Sequence, residues 1–132
     1  MSATTIPDKA LDLFEKPALA HFATVMPDGT PQVTPVWVDY DGTHVLINTT
    51  RGRQKERNVQ KQPKVGLDIV DPANPWHWLL VRGHVVEVTE EGARDHIDKM
   101  AKKYTGADKY TMMQPGDVRI ILKIEPERVI VS

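Results

Sequence analysis

Apolar positions along the chain keep a helical spacing only briefly and then recur at every second residue for most of its length. Ala10, Leu11 and Phe14 follow Pro7 at helical spacing until Pro17, which predicts a short amphipathic helix. Ala18 to Val25 then reads as a strand, Pro27-Asp28-Gly29 as a turn, and Gln32 to Tyr40 as a second strand with Val36, Val38 and Tyr40 on one face. Pro35 inside that strand has no N–H for the ladder, which places it at an edge or a bulge. Asp41-Gly42 signals a hairpin into a third strand, His44 to Thr49.

From Gly52 to Gln62 the pattern turns polar and helical, and strand character returns at Val65 to Val70. Trp76 to Thr89 reads as a long strand with a bend or bulge at Gly83. Glu90 to Tyr104 is a helix, with Thr89 as N-cap and Ala93, Ile97, Met100 and Ala101 on one stripe. Val118 to Ile124 and Arg128 to Val131 supply the last strands. About seven strands with short connections and few helices exclude a doubly wound parallel sheet, whose parallel pairs need repeated helical crossovers. The expected class is mainly β: an antiparallel barrel with peripheral helices, one domain over residues 1–132.

Composition narrows the function. Seventeen basic and 18 acidic side chains leave a net charge of −1, so no global field draws the protein to nucleic acid or an anionic membrane. Without cysteine there is no disulfide, thiolate nucleophile or sulfur-ligated metal. Charged residues occur within the first fifteen positions, and no apolar run approaches the roughly 18 residues of a membrane span. A soluble, unexported, cytoplasmic protein is expected. The histidines His21, His44, His77, His84 and His96 lack a paired metal spacing such as H-E-x-x-H, and neither Ser2, Ser132 nor the threonines form a hydrolase motif. No metal is expected, and no catalytic side chain is assigned. His77, between two tryptophans, reads as a proton donor near a ligand or as a packed strand histidine. Tyr104 and Tyr110 are open in the same way.

Charge is concentrated in one place. Arg51, Arg53, Lys55, Arg57 and Lys61 stand against Glu56 alone, five bases to one acid and a local charge of +4. Thr49 and Thr50 end a strand just before them and Gly52 permits close backbone approach, so hydroxyls, free helix-start amides and cations could meet on one anion. The alternative is a solvated basic helix.

The chain resembles the pyridoxamine 5'-phosphate oxidase-like split-barrel flavoproteins, and within them the small class of coenzyme F420-dependent enzymes. The likeness spans nearly the whole chain. It rests on Ala20 to Val25 followed by Pro27-Asp28-Gly29-Thr30-Pro31-Gln32-Val33-Thr34-Pro35-Val36-Trp37-Val38, on Asn48-Thr49-Thr50-Arg51-Gly52-Arg53-Gln54-Lys55-Glu56-Arg57-Asn58, and on Trp76 to Gly83. The resemblance implies a split β-barrel of the FMN-binding type that dimerises with its cofactor at the subunit interface. It carries phosphate contacts onto Thr49, Thr50, Arg53 and Lys55, with Arg51 and Arg57 on the same basic strip, and ring contacts onto Gln32, Val33, Thr34 and Pro35. Trp76 and Trp78 either flank the cofactor from the opposite subunit or pack in core or interface.

Pyridoxamine phosphate oxidase itself is longer and ends in an Arg-x-His motif, whereas this chain ends Glu127-Arg128-Val129-Ile130-Val131-Ser132, so oxidation of vitamin B6 is not expected. F420 carries a phosphodiester and several glutamates beyond its deazaflavin ring, so an extended basic strip favours F420, with FMN as the alternative. The implied chemistry is hydride transfer between that ring and a small organic substrate, for which the protein supplies binding and orientation and needs no nucleophile. Two non-enzymatic readings compete: a cofactor carrier, and a barrel binding single-stranded nucleic acid on Trp37, Trp76 and Trp78, which the near-neutral charge disfavours.

Overall fold

The computed structural model describes residues 4–132, so Ser2 lies outside the described residues. The opening helix is shorter than its spacing suggests: a 3-10 turn, Asp8–Ala10, runs into a single α turn, α1 (Asp12–Glu15), which buries Leu13 and Phe14. Leu11 N–H bonds back three residues to Asp8 O, which keeps the first turn tight.

Seven strands then form one antiparallel sheet, curled into a half barrel: β1 (Ala20–Val25), β2 (Pro31–Val36), β3 (Asp39–Tyr40), β4 (Val45–Thr50), β5 (Lys64–Asp71), β6 (Asn74–Thr89) and β7 (Arg119–Val131). Their order across the sheet is β2-β1-β5-β6-β7-β4-β3. Two helices complete the fold, α2 (Gln54–Lys61) between β4 and β5, and α3 (Ala93–Thr105) between β6 and β7. This is the expected mainly β split barrel. Among the described residues no helix is long and apolar enough to cross a membrane.

Alternation sets the two faces of the sheet. Phe22, Ile69, Leu79, Ile47, Ile120, Leu122 and Ile124 point inward and are fully buried with α1 over one end. Ladder register aligns the other face in cross-strand rows, of which Pro35, His21, Asp68, Leu80 and Ile130 form one spanning five strands.

Three expectations are corrected. The second strand does not run from Gln32 to Tyr40: it breaks at Trp37 and Val38 into β2 and β3, which lie at opposite edges of the sheet. Helix α3 causes the break. The Tyr104 ring stacks on Trp37, and its hydroxyl accepts the Val38 N–H at 3.0 Å while donating to Ala18 O at 2.7 Å, so Val38 bonds to the helix and not to a strand. Pro35 accordingly sits on edge strand β2, in a regular ladder with β1.

Helix α3 begins at Ala93 after Gly92, whose φ of 73° is left-handed. Thr89 caps no helix; its hydroxyl accepts the Glu91 N–H in a local turn. Finally, the two expected C-terminal strands are one. Pro126 interrupts no strand because it opposes Gly83, where the β6 register shifts and the bend absorbs the missing N–H. The hairpin at Asp41-Gly42 forms as expected, with Asp41 Oδ1 accepting the N–H groups of Thr43 and His44.

Candidate functional site

The basic run is built as a turn that spends its only acid on its own backbone. Gly52, at φ 93°, reverses the chain between β4 and α2. Its N–H donates to Glu56 Oε1 at 2.9 Å, and Arg57 Nη1 donates to its carbonyl at 2.8 Å. The Gly52 N–H bond holds the Glu56 carboxyl below its usual range against burial, with Gln60 and the charges of Arg51 and Arg57 adding to the effect. Glu56 is thereby committed to the turn. Arg57 also donates to Gln54 Oε1, and Arg51 pairs with Glu90 at 3.0 Å.

Arg53 and Lys55 are different. Among the described residues no carboxylate forms an ion pair with either. A third cation joins them from the far end of the chain. Arg119 opens β7 opposite Thr50, donates from Nε to Asn48 Oδ1 at 2.9 Å and from Nη1 to Thr50 Oγ1 at 2.8 Å, and lies 5.1 Å from the centre of the Tyr110 ring. Burial lowers the Lys55 pKa, and the charges of Arg53 and Arg119 lower it further. Burial lowers Arg119 as well, helped by Arg53 and opposed by Tyr110 and Asp117. Each lowered value records positive charges held together out of water, an arrangement an incoming anion relieves.

These cations border a cleft of about 280 Å³, whose other walls include Pro35 on β2 and Trp37 just beyond it, Asn48 and Thr49 on β4, Ile97 on α3, and Tyr110 and Met112 from the loop before β7. Trp37 is fixed between two rings, stacked on Tyr104 at 5.1 Å and edge-on to Tyr110 at 6.0 Å. A second, wider cleft of about 760 Å³ shares Arg53, Tyr110 and Met112 with the first and continues along Thr50, Arg51 and Gly52. One side therefore suits a flat, partly apolar group, and the other an extended anion.

A third cleft, of about 430 Å³, lies on the outward face of the sheet, lined by Val33, His21, Asp68, Leu80, Arg82 and Ile130 among others. Val33 and Pro35 are two residues apart and share one face of β2, so this cleft and the cation cleft are neighbours along a single edge strand.

Of the candidate residues, the structure brings Pro35, Thr49, Thr50, Arg51, Arg53 and Lys55 to the two cation clefts. Arg57 lies behind the turn and braces it. Val33 faces the outward cleft, Thr34 pairs with Phe22, and Gln32 accepts from Thr24 Oγ1 at 3.4 Å. Trp76, 82% exposed, and Trp78, beside Asp68, Val70 and Leu80, stand on the outward side and line neither cation cleft within one chain. His77 bonds through Nε2 to Asp12 at 2.9 Å, tying β6 to α1 rather than reaching the cation clefts. Asp12, Asp71 and His77 gather closely enough to suggest a metal, but the Lys16 ammonium already lies 2.6 Å from Asp71 and 3.1 Å from Asp12.

Arg119 and Asn48 are site residues that the sequence reading does not single out, and Tyr110, left open there between a group near the ligand and a loop anchor, lines both cation clefts. Asn48 was at hand, since it begins the very segment that carries the basic strip. Arg119 carried no local signal, because only the β4–β7 register sets it beside Thr50.

Comparison with known proteins places the fold and the family. The family profile described as pyridoxamine 5'-phosphate oxidase matches residues 6–131. A solved structure named F420 reductase superposes with a TM-score of 0.82 at 34% identity, covering 95% of this chain and 98% of that one. The F420H(2)-dependent biliverdin reductase of Mycobacterium tuberculosis (strain CDC 1551 / Oshkosh) is 26% identical over 133 residues, 99% of this chain and 91% of that protein. Group A Streptococcus HupZ, at 24% identity and a TM-score of 0.67 over 96% of this chain and 93% of that one, shares the fold.

Proposed function

Because the chain belongs to the pyridoxamine 5'-phosphate oxidase family, we propose that it is an F420-dependent reductase acting on a small organic substrate. The observation that carries the reading is the set of cations without carboxylate ion-pair partners among the described residues, Arg53, Lys55 and Arg119, at the junction of a compact cleft and a longer one. Thr49, Thr50, Arg53 and Lys55 would hold the cofactor's phosphate, and Gln32 to Pro35 would border its ring. Arg51 and the wider cleft continue the positive strip beyond a single phosphate, which favours the glutamate-bearing F420 over FMN. The names of two relatives point the same way.

Bound there, the deazaflavin would supply two-electron hydride transfer. The protein's part is to fix the anionic tail, press the ring side against Pro35 and the immobilised Trp37, and exclude water. The active unit in this reading is a homodimer, because the outward cleft adjoins the cation cleft along β2. Trp76 and Trp78 would then reach the partner's cofactor.

Parallel titration with F420 and FMN tests this. F420 is expected to bind more tightly, and Arg53→Ala or Lys55→Ala to weaken it by about tenfold or more, the scale of a charge-assisted hydrogen bond. Reduced F420 should be consumed with a quinone, an enone or a tetrapyrrole. Protein that purifies yellow with a flavin spectrum, or that ignores F420 throughout, overturns the proposal.

A further inference from the structure

Arg119 is held by a hydrogen-bonded chain in which every donor and acceptor can be assigned. Asn48 Oδ1 accepts from Arg119 Nε at 2.9 Å, and the Asn48 amide spends its two hydrogens on Ala93 O at 2.9 Å and His96 Nδ1 at 3.1 Å. The reversed amide would face oxygen to the Ala93 carbonyl and hydrogen to the Arg119 N–H, so its orientation is fixed. His96 Nδ1 must therefore accept, which leaves the ring proton on Nε2, where it donates to Asp39 Oδ2 at 3.0 Å. Asp39 is itself anchored: its Oδ1 accepts the Tyr40 N–H at 2.9 Å. The chain thus runs from β3 through α3 and β4 to a guanidinium at the cleft, and it is complete only with a neutral imidazole.

We infer that Arg119 is a third anion-binding residue of the tail site, and that Asn48 and His96 are positioning residues which present it only while His96 is neutral. This rests on the cofactor reading above. Nε and Nη1 use two of the five donors of the guanidinium on protein acceptors, so three remain for the tail anion beside Tyr110. Protonated His96 would set a second N–H against the Asn48 amide hydrogens. Asn48 must then turn, and its oxygen leaves Arg119. The charged groups around His96 are Asp39 from β3 and Lys99 on its own helix, 3.3 Å from Asp39, with Lys103 near enough to feel both and Arg119 beyond Asn48.

The test is equilibrium binding of F420 as a function of pH in wild type, Arg119→Gln, Arg119→Lys, His96→Gln and His96→Phe, each checked for native circular dichroism. Arg119→Gln should weaken binding about tenfold to a hundredfold and Arg119→Lys by less, because lysine keeps the charge but not the fork. Wild-type affinity should fall on the acid side, where a second N–H on His96 would face the Asn48 amide and break the chain. Glutamine can still accept from Asn48 and donate to Asp39, so His96→Gln should bind as wild type does at high pH and lose that acid-side fall; His96→Phe should bind weakly at every pH. If wild type binds neither F420 nor FMN, the cofactor reading fails and this inference with it. If wild type binds F420 and Arg119→Gln binds equally well, only the role of Arg119 is overturned. If Arg119→Gln is weak but both His96 variants keep the wild-type pH profile, the positioning chain is overturned.

Discussion

Gly83 and Glu125 approach so closely across the β6–β7 ladder that a Cβ on Gly83 would stand 2.1 Å from the Glu125 carbonyl oxygen. The contact is backbone to backbone, so no side chain can swing aside to relieve it. It occurs where β6 bends and β7 carries Pro126 through the sheet. Gly83→Ala is expected to destabilise the fold by about 1–3 kcal/mol or more, the cost of overpacking a rigid site. Gly66→Ala is the control, because its nearest neighbour beyond the adjoining residues is 3.8 Å away. Thermal melts of the two variants should separate by several degrees, and equal melting temperatures would show that the ladder gives way freely.

Lys55 couples anion binding to pH. Burial and the neighbouring Arg53 and Arg119 charges lower its pKa in the free protein, so it loses its proton earlier than an ordinary lysine as pH rises. A bound anion favours the charged form, and binding then takes up a proton wherever free Lys55 is neutral. Affinity for F420 should therefore decline as pH rises through that lowered value. Lys55→Arg keeps its charge throughout and should flatten the alkaline decline, even if its absolute affinity differs. A wild-type profile as flat as that of Lys55→Arg would show that Lys55 is not at the anion.

How far the sequence could be read depended on how local each signal was. The strands of β4 to β6, the turn at Gly52 and the run from Arg51 to Lys61 are written in neighbouring residues, and they were legible. Trp37 and Val38 look like strand residues because their alternation continues that of β2. Only the Tyr104 hydroxyl, 66 positions away from Val38, reveals why the chain leaves the ladder there. Arg119 is the same lesson within the site, since a register 69 residues long in sequence sets its guanidinium on Thr50. Local pattern carries elements, and long-range pairing completes the cleft.

Lys103 makes stability rise with pH on the alkaline side. Its ammonium donates to Phe14 O at 2.7 Å and Val38 O at 2.5 Å, lashing α3 to α1 and to the β2–β3 link. Burial pushes its pKa down to about 8 from 10.5, opposed by Asp39 and assisted by Lys99. Between those values the unfolded chain binds more protons than the folded one, so folding is penalised below pH about 8 and the penalty is relieved as pH rises toward 10.5. The neutral amine keeps two hydrogens, enough for both carbonyls. Melting temperature measured against Lys103→Met across this window should show wild type gaining on the variant. A constant difference would mean that Lys103 is protonated throughout.

The outward face should be a subunit interface whose loss also costs cofactor binding. Val33 is 58% exposed and Ile130 38% exposed on a face that also holds Leu80, Trp78 and the His21–Asp68 pair at 2.6 Å. Exposed apolar side chains clustered around a cleft of about 430 Å³ are more than scattered surface hydrophobics. A two-fold partner would meet the same surface, self-complementary by symmetry. Val33 adjoins Pro35 on β2, so a partner seated there would also wall the cation cleft and could bring Trp76 or Trp78 to it. Light scattering should give a dimer at micromolar concentration, and Ile130→Arg should give folded monomers. If the cofactor lies between subunits, those monomers will bind F420 far more weakly although Arg53, Lys55 and Arg119 are untouched. Monomers with full affinity would place the whole site within one chain, and a monomeric wild type would remove the interface altogether.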